Sequence, residues 1–299
     1  MLSILIPIYA FDVKPFVKEL HIQAQLLPVD WEIILFDDAS PVEWQQKNRS
    51  LLKLEGVEYK ELSQNIGRAA IRNALARSAQ YDYLLFMDCD SAITSSRFLQ
   101  LYIDQCAPKR VLYGGRSYLK EAPKDKDYCL HWHYGNKREV RLVKERNQHP
   151  HLGFMTNNFV IPKAVFLDIQ LDERLRQYGH EDTLLGLKLE EQSIPIVHLN
   201  NPLVHIGLEK GECWLGKQEQ AIENLYWLHL QYPKLSTPAL KTWRLLHTTR
   251  LIKIMLPLLN KREERMKINL CSHCKPHLWQ LNLLKILWLE NAASQRKAE

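Results

Sequence analysis

Short apolar runs alternate with stretches of helical spacing through the first two-thirds of the chain. Leu2–Ile6, Trp31–Phe36, Val57–Leu62, Tyr83–Met87, Val111–Gly114, Asn157–Pro162 and Ile194–Leu199 read as strands. The continuous apolar run of Tyr83–Met87 suits a strand covered on both faces rather than on one. Between them, apolar positions at Phe16, Val17, Leu20, Ala24 and Leu27, closed by Pro28, predict a helix over 16–27. Further helices are predicted to about Leu52, over Gly67–Ala79, over Ser95–Cys106 and over Thr183–Gln192. Strands alternating with helices imply an α/β fold built on a mostly parallel sheet with right-handed crossovers. From Tyr118 to His151 the pattern lapses into polar residues rich in Lys, Arg and His, as expected of a mobile lid over a site. Two helical runs, around 243–256 and 278–289, form a C-terminal extension.

Three apolar runs end in polar punctuation: Pro7-Ile8-Tyr9, Asp37-Asp38 and Asp88-Cys89-Asp90. Ligands of open α/β sheets bind outside the carboxyl ends of the strands. If the backbone stays extended past Met87, Asp88 and Asp90 project to one side and repel unless a cation or strong donors lie between them. An isolated Asp-x-Asp is most often a turn. Three punctuations on one rim shift the balance toward a site.

Composition narrows the class. The 299 residues are 46% hydrophobic and 25% charged, a globular balance with room for one large domain and an appendage. No apolar run reaches the length of a membrane span. Met1-Leu2-Ser3-Ile4 leads into Leu5-Ile6-Pro7 without a basic start or small-residue cleavage site, so no secretory signal is expected. Six scattered cysteines do not form a disulfide framework, and reduced thiols in a cytoplasmic protein are the expectation. Cys271-x-x-Cys274, with His273 and His277 close by, lacks the second ligand pair of a zinc site. The net charge of +6 is uneven: residues 241–299 hold 12 Lys or Arg against 4 Asp or Glu, and residues 1–240 hold 28 against 30. A slightly acidic body argues against nucleic acid as a partner, and a basic tail argues for an anionic surface.

Taken together, Pro7-Ile8-Tyr9, Asp37-Asp38-Ala39-Ser40, Asn65-x-Gly67-Arg68-x-x-x-Arg72-Asn73, Asp88-Cys89-Asp90 and Gly179-His180-Glu181-Asp182 resemble the family-2 glycosyltransferases. The resemblance covers about residues 2–210. It implies the nucleotide-sugar-binding GT-A fold. Leu171-Asp172-Glu173 followed by Tyr178–Asp182 most resembles the branch of chondroitin-polymerase-like and polypeptide N-acetylgalactosaminyltransferase-like enzymes. Ala10 stands where Asn often follows the Tyr, and His180 where a small residue often precedes Glu-Asp. The implied domains are a catalytic part over 1–235, with a nucleotide half at 1–115 and an acceptor half with the lid at 116–235, and a basic amphipathic tail over 236–299.

Transfer from a sugar nucleotide needs an activated hydroxyl and a stabilised diphosphate leaving group, and a divalent cation serves the second need. By resemblance, Asp90 touches the cation, and Asp88 holds the ribose or donor sugar and reaches the cation through water. By the same resemblance, whose branch places a His after the last core strand, His205 in Pro-Leu-Val-His is the third candidate ligand; a nitrogen ligand suits Mn²⁺ better than Mg²⁺. As in the resembling enzymes, Asp182 is the expected base, with Glu181 binding the acceptor or orienting the site, although both could serve as helix-start acids. A carboxylate at a helix start is held ionised by the dipole, so the two duties are compatible. Asp38 is expected to meet a uracil N–H, Pro7, Ile8 and Tyr9 to line the base, Asn65 to shape the turn, and Arg68 and Arg72 to reach phosphate or base. A solvated helix face is the plainer reading of the two arginines.

The function expected is inverting, metal-dependent transfer from a UDP-sugar to a polysaccharide or lipid-linked glycan. The alternatives are an inactive glycan- or nucleotide-binding scaffold, or a sugar-nucleotidyltransferase; the latter wants a Gly-rich basic loop where Ala10-Phe11-Asp12-Val13 stands. The tail, rich in Trp, Leu and Arg, suits either the inner face of an anionic membrane or packing on protein. Donor sugar, acceptor, linkage and oligomeric state are left open.

Overall fold

The computed structural model describes residues 1–175 and 178–295. Arg176 and Gln177 of the Leu171–Asp182 motif, and 296–299 of the tail, lie outside the described residues. Among the described residues there are ten strands: β1 (Leu2–Ile8), β2 (Trp31–Asp37), β3 (Val57–Glu61), β4 (Tyr83–Met87), β5 (Ser91–Ala92), β6 (Val111–Tyr113), β7 (Arg116–Ser117), β8 (Asn158–Pro162), β9 (Ile196–His198) and β10 (Leu203–His205). The α-helices are α1 (Lys14–Ala24), α2 (Val42–Asn48), α3 (Arg68–Ser78), α4 (Phe98–Ile103), α5 (Cys129–Tyr134), α6 (Val143–Arg146), α7 (Lys163–Ile169), α8 (Glu181–Glu191), α9 (Gly211–Gln231), α10 (Pro238–Thr248), α11 (Leu251–Ser272) and α12 (Trp279–Gln295). They fall into two compact units, one of residues 1–119, 139–176 and 181–207, the other of 120–138, 177–180 and 208–299.

The first unit carries a seven-stranded sheet in the order β3-β2-β1-β4-β8-β6-β9. Strands β1 to β4 pair in parallel. Side chains alternate across the sheet: Leu2, Ile4, Ile6 and Ile8 of β1, with Leu85 and Met87 of β4, join Phe16, Leu20 and Phe98 of α1 and α4. Leu5, Leu84 and Phe86 point the other way, into a layer with Ile71 and Leu75 of α3, Phe166 of α7 and Leu185 and Leu189 of α8. The α/β architecture is therefore as expected, with one difference. Strand β8 runs antiparallel to both β4 and β6, so the 114–157 excursion returns the chain to the sheet from its carboxyl rim. A fully buried NFVIP run announces burial but carries no direction. A smaller sheet, β5-β10-β7, stands beyond that rim and fixes Ser91 opposite His205. The helix expected over 95–106 is confined to α4.

The second unit is helical. Leu225, Leu228, Leu284, Leu287 and Trp288 are buried within it, and α12 packs on α9, α10 and α11. Trp243 Nε1 donates to Glu290 Oε2 at 2.9 Å, and Trp288 Nε1 to Glu263 Oε1 at 3.1 Å. Two expectations are corrected here. Cys129 and Cys274 form a disulfide, so the cysteines are not all reduced, and Cys274 is withdrawn from any zinc set. The polar 118–151 stretch is not irregular throughout: Cys129, Leu130 and Trp132 of α5 are buried in the helical unit, and Arg146 of α6 is buried in the sheet unit. Periodicity could not signal helices of four to six residues. Among the described residues no helix is long and apolar enough to cross a membrane.

Candidate active site

Helix α3 organises the rim of the first unit. Gly67, at φ +86°, supplies the left-handed turn that starts it. Arg68 and Arg72 then lie one turn apart on the same face. Arg68 Nε donates to Glu181 Oε1 at 2.9 Å, and Arg72 Nη2 donates to Asp88 Oδ1 at 2.5 Å. Arg72 is 2% exposed, so the plain reading of a solvated face does not describe it. It also donates from Nη1 to the Arg68 carbonyl. One helix thus ties the acid pair after β4 to the acid pair that opens α8. The next residue, Asn73, exchanges hydrogen bonds with the Leu171 backbone in both directions and donates to Glu173, fixing the segment that leads toward α8.

Beyond β4 the chain bends through Asp88-Cys89-Asp90 into β5. Asp88 Oδ2 lies 3.6 Å from Arg116 Nη2. The same nitrogen lies 3.2 Å from His205 Nδ1, which is in turn 3.3 Å from Asp90 Oδ1. Arg116 also donates to Glu139 Oε2 at 3.0 Å, as Tyr118 does at 2.5 Å. A Cβ on Gly207 would fall 2.4 Å from Asp90 Oδ2, so only glycine admits this carboxylate to its place. Sequence reasoning missed Arg116, Tyr118, Glu139 and Gly207. Arg116 had a signal, a cation after Gly114-Gly115 at a strand's carboxyl end. Glu139 had none, being one acid among many charges.

The remaining candidates sit on the same rim in other roles. Both carboxylate oxygens of Asp38 accept backbone N–H bonds, from Ile66 at 2.7 Å and Gly67 at 3.1 Å, while Asn65 donates to the Asp38 carbonyl. Burial raises the Asp38 carboxyl despite those bonds. Ile8 is buried and its carbonyl accepts from Asp38 N; Pro7 is half-buried, and the Tyr9 ring is exposed. Ala10 is left-handed at φ +49°, a conformation Asn adopts more readily, and Ser40 Oγ holds its N–H at 2.8 Å.

The two acids of α8 are driven apart. Burial raises Glu181, but Arg68 and Arg72 outweigh it and hold the group below the usual carboxylate range. Burial pushes Asp182 up to about 7, with the Glu181 charge adding to it. Asp182 Oδ1 accepts from Thr183 N at 2.6 Å inside the first turn of α8, which begins at Glu181.

A family profile described as Glycosyl transferase family 2 matches residues 3–166, more than half of the chain. The chain belongs to glycosyltransferase family 2. The sheet of this glycosyltransferase is the GT-A fold. It is similar to a mannosyltransferase of Pyrobaculum calidifontis, PcManGT, solved with GDP-Man and Mn²⁺, at a TM-score of 0.58 and 10% identity over 99% of this chain and 75% of that one. It is similar also to residues 1–349 of S. aureus TarS, at 0.54 and 15% identity over 100% and 92% of the two chains. A third likeness is to mannosyl-3-phosphoglycerate synthase of Rubrobacter xylanophilus, at 0.54 and 14% identity over 80% and 76%. A search of curated protein sequences found no match. Family membership leaves the sugar-nucleotidyltransferase reading without support.

Proposed function

We propose that this family-2 glycosyltransferase moves a hexosyl or N-acetylhexosaminyl group, with inversion, from a UDP-sugar to a hydroxyl of a polysaccharide or lipid-linked glycan. The observation that carries the reading is the α3 bridge, Arg68 to Glu181 and Arg72 to Asp88, which joins both acid pairs on one rim. In the proposed division of labour, 1–115 supplies the nucleotide half, 116–235 the acceptor half, and the basic tail attaches the protein peripherally to the inner face of an anionic membrane. The Leu171–Glu173 and Tyr178–Asp182 motif supports the polymerase-like branch.

The donor set fits a divalent cation. Asp90 Oδ1 is buried without a hydrogen-bond partner, 3.3 Å from His205 Nδ1. Among the described residues no group of three or more His, Cys, Asp or Glu could hold a metal, so diphosphate and water oxygens would complete the shell. Asp90 and His205 would hold Mn²⁺ (or Mg²⁺), with Asp88 reaching it through water; when bound, it supplies charge neutralisation for the departing diphosphate. Arg68 and Arg116 add positive charge on the same side. Asp182, raised toward neutrality, takes the acceptor proton as the hydroxyl oxygen attacks, and Glu181, kept ionised, holds Arg68 and the acceptor. Pro7, Ile8 and Tyr9 line the base; Asp38 and Asn65 fix the turn that faces it.

Asp182→Asn decides the assignment. It should leave UDP binding intact and lower transfer by about 10²–10⁴-fold; loss of UDP binding would make the carboxylate structural. UDP-sugar hydrolysis with and without Mn²⁺ separates the enzyme from the scaffold: no turnover and no metal-dependent UDP binding would favour the latter.

A further inference from the structure

Helices α11 and α12 pack against each other and leave a cavity of about 470 Å³ between them. Leu259, Met266, Trp279 and Leu283 supply its apolar walls, and Arg262 and Arg265 border it. Its size is that of a ligand pocket rather than a packing defect. Asn269 and Gln280 add polar groups to the lining. Apolar side chains are exposed beside it: Trp279 is 56% exposed, and Leu251, Ile254 and Leu258 form an exposed stripe on α11. The local acids are turned elsewhere, Glu263 and Glu264 both facing Lys267. Among the described residues neither Arg262 nor Arg265 makes a salt bridge. Two unengaged guanidinium groups at the edge of an apolar slot match an amphiphile that ends in phosphate, which arginine grips with paired hydrogen bonds.

We propose that this cavity is a discrete lipid site, taking one hydrocarbon chain of an anionic phospholipid with its phosphate on Arg262 and Arg265. A second copy of the chain is the poorer occupant, because mating two such faces brings like charges together in a segment with 12 basic and 4 acidic residues. The inference rests on the membrane reading above only for the source of the lipid.

The test uses the full chain and monomeric lysophosphatidic acid, followed by calorimetry and by the emission of Trp279, with Trp279→Phe as the control for the other tryptophans. One molecule should bind and shift that emission to the blue. Lysophosphatidylcholine of the same chain length should bind about tenfold more weakly or worse, and glycerol phosphate should not bind. Leu283→Trp, which fills the slot, should abolish binding. The exposed double change Arg262→Gln/Arg265→Gln should weaken it about tenfold or more without lowering the melting point, and so keeps the test decisive if Leu283→Trp misfolds. Equal binding of the two lysolipids, no effect of the arginine changes, or a dimer in solution that buries Trp279 would overturn the proposal. Flotation with anionic vesicles separates the two claims. A chain that floats but binds no monomeric lipid keeps its membrane attachment and loses the site, and one that does neither loses both.

Discussion

Two adjacent carboxyl groups at the start of α8 have opposite fates because one of them faces arginine. Burial and the Glu181 charge push Asp182 from 3.8 up to about 7. In its proposed role as base, a carboxyl with such a value is protonated in mild acid, so kcat/KM should rise with pH through about 7 and level off above it. The folded protein retains a proton on Asp182 that the unfolded chain releases near its ordinary pKa. The stability this proton contributes is fully present below about pH 4 and is lost as pH rises through about 7. Asp182→Asn should therefore flatten the pH dependence of the melting temperature between those limits; an unchanged slope would assign the titration to another group. A second test concerns Gly207. The Cβ of Gly207→Ala would meet the Asp90 carboxylate at 2.4 to 2.8 Å, and the displaced carboxylate should cost about 1–3 kcal/mol in stability. Mn²⁺-dependent UDP binding should weaken with it, and calorimetry showing unchanged binding would separate Asp90 from the cation. At this scale the sequence singled out Asp88, Asp90 and His205 by their identity, and the structure brings the three together around Arg116. The sequence was silent where chemistry depends on a neighbour far along the chain. Nothing local to Glu139 or Gly207 says that the first meets Arg116 or that the second makes room for Asp90.

Helix α3 both supports the sheet and ties segments of the rim together. Its apolar face, through Ala69, Ile71, Leu75 and Ala76, is buried in the sheet unit, while Arg68, Arg72 and Asn73 reach three separate segments of the rim. Asn73 is the purely structural member. Asn73→Ala removes three hydrogen bonds to residues 171–173 and leaves the buried Leu171 N–H without its acceptor, at about 1 kcal/mol for each bond and more for the orphaned group. The melting temperature should fall, and transfer should fall through kcat because Glu181 and Asp182 lose the segment that steadies them. Intact stability with lost activity would instead put Asn73 among the groups that touch substrate. The existence of α3 was legible from its alanine-rich spacing and the glycine before it. Its burial was not, since four-residue spacing of two arginines is the same on a solvated face and on one sealed by carboxylates. The direction of β8 was hidden for a related reason: an apolar run records how deeply a strand is buried, not which way the chain travels through it.

At the level of the whole chain, the covalent link between Cys129 and Cys274 runs against the expectation of free thiols drawn from their scattered positions. It closes a loop over a sequence separation of 145, so in the chain-entropy account its loss releases about 5 kcal/mol of constraint on the unfolded chain. Both cysteines belong to the helical unit, where α5 and the turn between α11 and α12 are joined. The seven-stranded sheet and its rim contain neither of them. Cys129→Ser, or reductant added to the natural protein, should lower the melting temperature by roughly 10 °C or more. Because the arginine and carboxylate contacts of the rim are all made within the sheet unit, UDP binding measured well below the transition should be retained. A melting temperature indifferent to reductant would return the pair to free thiols in solution. Loss of UDP binding together with the disulfide would mean that the rim depends on the helical unit for its shape.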